Sequence, residues 1–467
     1  VTVVNAIAVA NRALIDGDGA TGIEAGSIRV SAADSSTIDA FAGSASLAGS
    51  GGGSAGVSVA VGFTLALNSI AGGVEAGIAN ADTLLRTTGA ASVKVNDDPL
   101  NRETVNGVLV SASRAGRIYA AAAAAAISIA GGGSAGVGVS GGGAFASNRI
   151  LGSVNATVDA SKITTAAGGG LTVSAAASSD VTAIISAAAA SAGGGGAAGV
   201  GVALGASGAE NRIGTWTTRG ADEARTDTFD ENGAASVRAS VKASTLDIAG
   251  ALKVEATASQ KISATLVAAA AAIQGGGTAG VSVSAAGAVA ANAIGVVTSA
   301  TIDGEQSGSR SNVTAGSVTV SAANTAQIAA VVGAASLSGA GGGAAGVGVA
   351  VGFALAINSI AGGVQASIGH ERAGTSTVTT RSGGVTVAAR NDARIRAASA
   401  AAAVSIGGGG AAGVSVSGGG AAASNVITLT TSAAVANGAL TVRGGKSAVT
   451  ASASGTIEAL ITAAAAA

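Results

Sequence analysis

The chain has 467 residues, 120 of them Ala and 76 Gly, with no Cys or Met and a single Pro, His, Trp and Tyr. Charged residues are 10% and nearly cancel, to −1, while mean hydropathy is +0.56. This excludes a disordered linker, a disulfide scaffold, a collagen and a basic nucleic-acid binder. One His and no Cys also remove most general-base, nucleophile and metal-ligand schemes, so no enzyme and no catalytic residue is expected. Opening on Val and carrying no signal peptide, the chain reads as a processed product or one window of a longer protein. The lack of easily oxidised side chains suits an extracellular setting.

In chain order, the first motif is Asp16-Gly-Asp18-Gly, which has the paired carboxylates of half a calcium loop but no downstream Glu. Calcium is thus an open cofactor question, with a plain turn as the alternative. A phrase of three Gly, a small residue and Ala-Gly-Val then recurs six times, beginning at Gly51, Gly131, Gly194, Gly275, Gly341 and Gly408. Its Val is Val57, Val137, Val200, Val281, Val347 and Val414. Eleven residues after each Val stands an Asn: Asn68, Asn148, Asn211, Asn292, Asn358 and Asn425. Asn11 reads as the tail of a truncated seventh copy. The copies are 63 to 81 residues apart, whereas the distance from Val to Asn never varies. A fixed core with variable connections is a repeated structural unit with loop insertions.

The units divide the chain into the end of a truncated repeat at 1–26 and six repeats at 27–105, 106–169, 170–250, 251–316, 317–384 and 385–447, with the start of another at 448–467. Ser27–Ile78 and Ser317–Ile368 agree at about two-thirds of positions, so a larger block of four units is duplicated. Within the first repeat, Val57, Val59, Val61, Phe63, Leu65 and Leu67 alternate with Ser58, Ala60, Gly62, Thr64 and Ala66. A period of two is a strand. Short alternating runs such as Leu171-Thr-Val-Ser-Ala precede each unit and read as further strands. The Ala run Ala120–Ala126 has the propensity for helix. Its counterparts, Ala42–Ala48 and Val331–Leu337, carry Gly and Ser, so these segments are expected to be strands.

Strands with one large apolar face and one Ala/Gly/Ser face need cover on both sides. The small face permits unusually close approach of another sheet, within the chain, between chains, or both. The fold expected is all-β: a repetitive β-solenoid or stacked β-sheet rod, each unit burying its faces on its neighbours. The Asn at the fixed place reads either as an internal amide ladder or as a simple turn former. Ser311 to His370 holds no charge. Its Gly triplets and period of two nevertheless argue against a membrane-spanning helix, and aromatics at 1% argue against a membrane barrel.

Charges collect in the insertions. The largest, Thr215–Val237, holds Trp216, Arg219, Asp222, Glu223 and Arg225, a candidate contact loop, and Asp227–Gly233, a second calcium candidate. Others run through Arg86–Glu103 and around His370. Such loops carry recognition or simply keep the rod soluble. Ice binding would want ranks of Thr, which is scattered here.

Segments such as Gly136-Val-Gly-Val139 with Asn148-Arg-Ile150, then Val154-Asn-Ala-Thr-Val-Asp-Ala-Ser161, resemble the giant bacterial β-strand-repeat surface proteins, including filamentous-haemagglutinin-like and leukotoxin-type filamentous adhesins. The resemblance covers nearly the whole chain. It implies a secreted, elongated rod at the cell surface, serving as a fibre that polymerises with itself or as the passive stalk of an adhesin with a cell-surface or matrix target. It supplies no catalytic residues, nucleic-acid partner or membrane span.

Overall fold

The computed structural model describes residues 1–94, 104–214, 216–217, 228–229, 235–303, 310–369 and 376–467. Among them there is no helix, and nearly all lie in parallel strands stacked rung upon rung. Each rung is a flattened coil. An entry strand such as Ile28–Gly52 runs to the Gly triplet, turns through Gly53 and Ser54, and returns as Ala55–Ala79. A left-handed corner and a short strand then lead to the next entry strand, Val108–Gly132. The entry strands form one sheet and the return strands a second, packed face to face.

Register follows the repeat, with one bulge in the entry sheet, between Ile248 and Ala251. In the entry sheet Val30, Val110, Val173, Val254, Val320, Val387 and Val449 pair successively. In the return sheet Val57, Val137, Val200, Val281, Val347 and Val414 do so. The Ala run pairs Ala120–Ala126 with Ala40–Ser46, two residues earlier than the sequence alignment placed it. It is a strand because its neighbours on both sides supply the ladder; tertiary pairing overrides Ala's helix propensity.

Two regimes of packing share each rung. Far from the Gly turn the core is branched and aliphatic: Ile38, Ile118, Val181, Ile262, Ile328 and Ile395 form a column in the entry sheet, and Ile70, Ile150, Ile213, Ile294 and Ile360 one in the return sheet. Each such buried side chain is worth about 1.5–3 kcal/mol. Near the turn the interior holds Gly, Ala, Ser and Thr, with Gln274 the one larger side chain, lying against Gly201. Sheets ordinarily stack about 10 Å apart. Here a Cβ on Gly142 would lie 2.2 Å from the Ala188 carbonyl oxygen across the gap, and one on Gly205 would lie 2.3 Å from that of Ala269. At these two positions no methyl fits between the backbones, although Ala286 holds the same column on the next rung. Hydroxyls bridge the sheets instead: Ser58 with Ser128 at 2.6 Å and Ser284 with Ser336 at 2.6 Å.

The corner that closes each rung needs a left-handed residue. Asn80, Ala160, Ala243 and Asp303 occupy it with φ of 54°, 44°, 46° and 53°. Serines stabilise the stack there: Ser161 Oγ accepts from the Ala81 amide, Ser244 Oγ from the Ser161 amide, and Ser311 Oγ from the Ser244 amide. Buried Asp303 accepts from both Ser311 and Ser376 hydroxyls.

Candidate assembly surface

The six Asn residues face inward and form an amide ladder, in mid-strand rather than at a turn. Asn68 Nδ2 donates to Asn148 Oδ1, Asn148 to Asn211, Asn211 to Asn292, Asn292 to Asn358 and Asn358 to Asn425, each at 2.8 Å. Asn5, not Asn11, heads this ladder, donating to Asn68 at 2.8 Å. The strand Thr2–Asp16 sets Asn5 opposite Asn68, which places Asn11 opposite Val74 and turns it to Ala33 O. Every rung thus satisfies one amide donor and one acceptor in an interior where either, left alone, costs about 1–3 kcal/mol.

The first glycines of the triplets are less constrained than the repeat suggests. A Cβ at Gly51, Gly131, Gly275, Gly341 or Gly408 would meet nothing within 4 Å, and at Gly194 the nearest atom is 3.7 Å away. The demand falls one position later. At Gly52, Gly132, Gly195, Gly276, Gly342 and Gly409 a Cβ would sit 1.9 to 2.2 Å from the carbonyl oxygen that begins the return strand. Identity of the column alone does not tell these positions apart; the backbone crossing does.

The larger surprise is direction. The small faces meet inside one chain, and the large apolar faces point outward. Ser58, Ala60, Thr64 and Ala66 are buried, whereas Val57, Val59, Val61 and Phe63 are 61%, 59%, 66% and 54% exposed. The other Val of the column, Val137, Val200, Val281 and Val347, are half-covered by their neighbours along the rod, and Val414 is exposed. Glycine decides this inversion, since the face that can approach a second backbone takes the interior. The entry sheet behaves alike, with Phe41, Leu47, Ile129, Ile273 and Ile406 outward. Over the turn-proximal half of each rung, both outer surfaces are therefore apolar.

The opposite half carries the charges. Arg12 pairs with Glu75 at 2.8 Å, and Arg394 and Arg396 both reach Glu458, at 2.5 and 2.9 Å. One pair is internal. Arg114 and Asp34 lie between the sheets with side chains 3% and 6% exposed, 3.6 Å apart. Arg114 Nη1 also donates to Gly72 O at 3.4 Å, beside left-handed Gly72 and Gly152 of the return sheet. Burial pulls the Arg114 guanidinium below its ordinary range, and Asp34 pulls it back up. Nothing in the spacing of the repeat signals this pair; only its even-numbered, inward phase shared with Ile38 and Ile118 could have.

Asp16 and Asp18 serve the first corner. Asp18 accepts from the Thr83 and Leu84 amides at 3.2 and 2.6 Å, and Asp16 from Asn80 Nδ2 at 2.7 Å. Among the described residues no group of three or more His, Cys, Asp or Glu is placed to hold a metal ion. Arg219, Asp222, Glu223 and Arg225 lie outside the described residues, as do Asp97, Asp98, Pro99, His370 and Asp227. The backbone of Trp216–Thr217 pairs antiparallel with Thr228–Phe229. Ser236 and Val237, assigned to the insertion from sequence, are already back in the return sheet opposite Val297 and Thr298. No described helix is long and apolar enough to cross a membrane.

No protein-family model, curated protein or solved structure matches the chain.

Proposed function

We propose that the chain is a structural protein: a repetitive section of a secreted bacterial surface filament or fibre, in which the strands are themselves the functional material. The observation that carries this reading is the parallel in-register stacking of successive rungs, with its amide ladder, beneath outer faces that remain apolar. Among the described residues the two sheets pack directly on one another, and the rod presents long repetitive surfaces to its surroundings. The resemblance to filamentous adhesins supports the same location, at the cell exterior. The partner is the protein itself, as a homopolymer or as neighbouring repeats of a longer chain.

The test is cryo-electron microscopy of the purified chain at neutral pH. Long filaments with this rung spacing support the reading. Isolated rods that neither join end to end nor associate laterally refute it.

One observation favours a second reading, the passive stalk of an adhesin. The return sheet tolerates the 215–235 insertion without losing register, since Gly214 pairs with Gly295 and Ser236 resumes opposite Val297. A loop so carried can reach a target while the rod stays intact. Deleting residues 218–227 would abolish binding to cells or matrix under this reading and leave it unchanged under the first.

A further inference from the structure

The outer face of the return sheet is too large and too apolar to be left in water. Its apolar stretch runs eight residue steps, from Val57 to Leu65, and six rungs deep, ending at the Leu67 column, where Ser147, Glu210 and Ser424 stand. At about 3.3 Å per residue and 4.8 Å per rung this covers about 750 Å². The largest apolar patch on a typical monomer is about 300–600 Å². A standard protein interface takes about 800 Å² from each partner.

The face also has relief. The Phe63 ring lies over Gly143 of the next rung, and the Phe145 ring over Gly208, so that a Cβ at either glycine would be 2.9 or 2.7 Å from the ring. Beside them runs a trough of about 390 Å³, lined by Phe63, Gly143, Phe145, Ala206, Gly208 and Val289. Farther along, Val351 and Phe353 stand 46% and 43% exposed. They occupy the columns that Gly141 and Gly143 occupy in the second rung. The same face thus holds an apolar ridge and a largely apolar trough, with Glu210 at the trough's rim.

We propose that this face is covered by the same face of a second copy of the chain. A two-fold axis lying in the interface, parallel to the strands and midway along the six rungs, lays the Val351–Phe353 ridge of each copy over Gly141 and Gly143 of the other, an isologous contact. A lipid surface fits less well: membrane-bound strands place their aromatics in girdles along the apolar borders, whereas Phe63 and Phe353 stand mid-patch. Because the entry sheet is apolar on its own outer side, pairing through the return face leaves a second sticky face. The pairs can then stack further instead of closing. This rests on the structural reading above and names the surface through which it operates.

The experiment is sedimentation velocity and cryo-electron microscopy at neutral pH on three proteins. They are the wild type, the return-face variant V59K/V351K/V416K, and the entry-face variant I129K/I273K/I406K. All six substituted positions point to solvent. Far-UV circular dichroism and melting temperature verify that each variant keeps its fold. The wild type is expected to form pairs and stacks at micromolar concentration. The entry-face variant is expected to stop at pairs. The return-face variant should lose pairing through this face, with self-association at least about 100-fold weaker, since like charges would meet across the contact.

Equal association of wild type and return-face variant overturns the proposal; if filaments persist in both, the fibre reading survives without it. A wild type that forms closed pairs only, with no filament, leaves the proposal standing and removes the fibre reading. A wild type that stays monomeric, or that binds phosphatidylcholine vesicles in preference to itself, overturns the proposal.

Discussion

The two halves of each rung solve burial in opposite ways. Beyond the Asn ladder, Ile70 and Ile118 fill the gap between sheets and charged residues line the outside, as in an ordinary domain. Before it, Gly56 and Gly62 bring backbone against backbone, and the bulky side chains are left outside. The same alternation therefore produces a polar rod along one edge and an apolar slab along the other. The difference teaches that a period of two fixes which residues share a face but not which face is inside. What decides is whether the partner sheet offers side chains or bare carbonyls.

Single substitutions and one change of pH test this contrast, from the largest loss of stability to the smallest, with Gly131→Ala as the control for Gly142→Ala. In the wide half, Asp34→Ala leaves Arg114 charged between the sheets and is expected to cost about 4 kcal/mol, read from urea unfolding; Arg114→Met with Asp34→Leu should recover most of it. In the narrow half, Gly142→Ala should cost about 3 kcal/mol by overpacking. On the same rung Gly131→Ala, whose Cβ meets nothing, should instead stabilise by about 0.5 kcal/mol. Equal effects of the two glycines on the melting temperature would erase the distinction between the halves.

At the boundary between the halves, Asn211→Leu removes two ladder bonds and strands Asn148 Nδ2 and Asn292 Oδ1. A loss of about 2–3 kcal/mol is expected, with hydrogen exchange quickening in both neighbouring rungs. The smallest effect is acid. The Ser454 hydroxyl, with Arg390, lowers the pKa of Asp392, and Arg394 with Arg396 lowers that of Glu458. Folded values below the unfolded ones mean this stabilisation is present above the ordinary carboxylate range. It is lost as pH falls through the depressed values. Amide protection in Ser447–Ala466, taken relative to the intrinsic exchange rate at each pH, should therefore fall on going from neutral to strongly acid solution, while protection around Ile118 is kept.

Much of this was legible before the structure. The constant eleven-residue step from Val57 to Asn68 and its copies gave the register, and the alternation gave the strands. The amide ladder was one of two readings of the Asn column. The inverted orientation was not legible, because Val57, Val59 and Phe63 look like a core on every hydrophobicity argument. A usable signal did exist. The column of Gly56, Gly136, Gly199, Gly280, Gly346 and Gly413 never changes, whereas the outward column of Val61 varies through Gly141, Leu204, Ala285 and Val351. The signal is partial, since the outward column of Val57, Val137, Val200, Val281, Val347 and Val414 is equally constant. The second glycine of each triplet and the Arg114–Asp34 pair depend on how the chain crosses between sheets, which no single strand records.

The amide ladder has a further consequence. From Asn5 to Asn425 every side-chain amide donates in the same sense along the rod. Backbone groups of a sheet alternate in direction and cancel, but these dipoles add. The rod is an electrical vector, partly positive toward one end and partly negative toward the other. Two rods laid side by side in opposite directions neutralise one another's field, which is the arrangement that the two-fold contact between return faces produces.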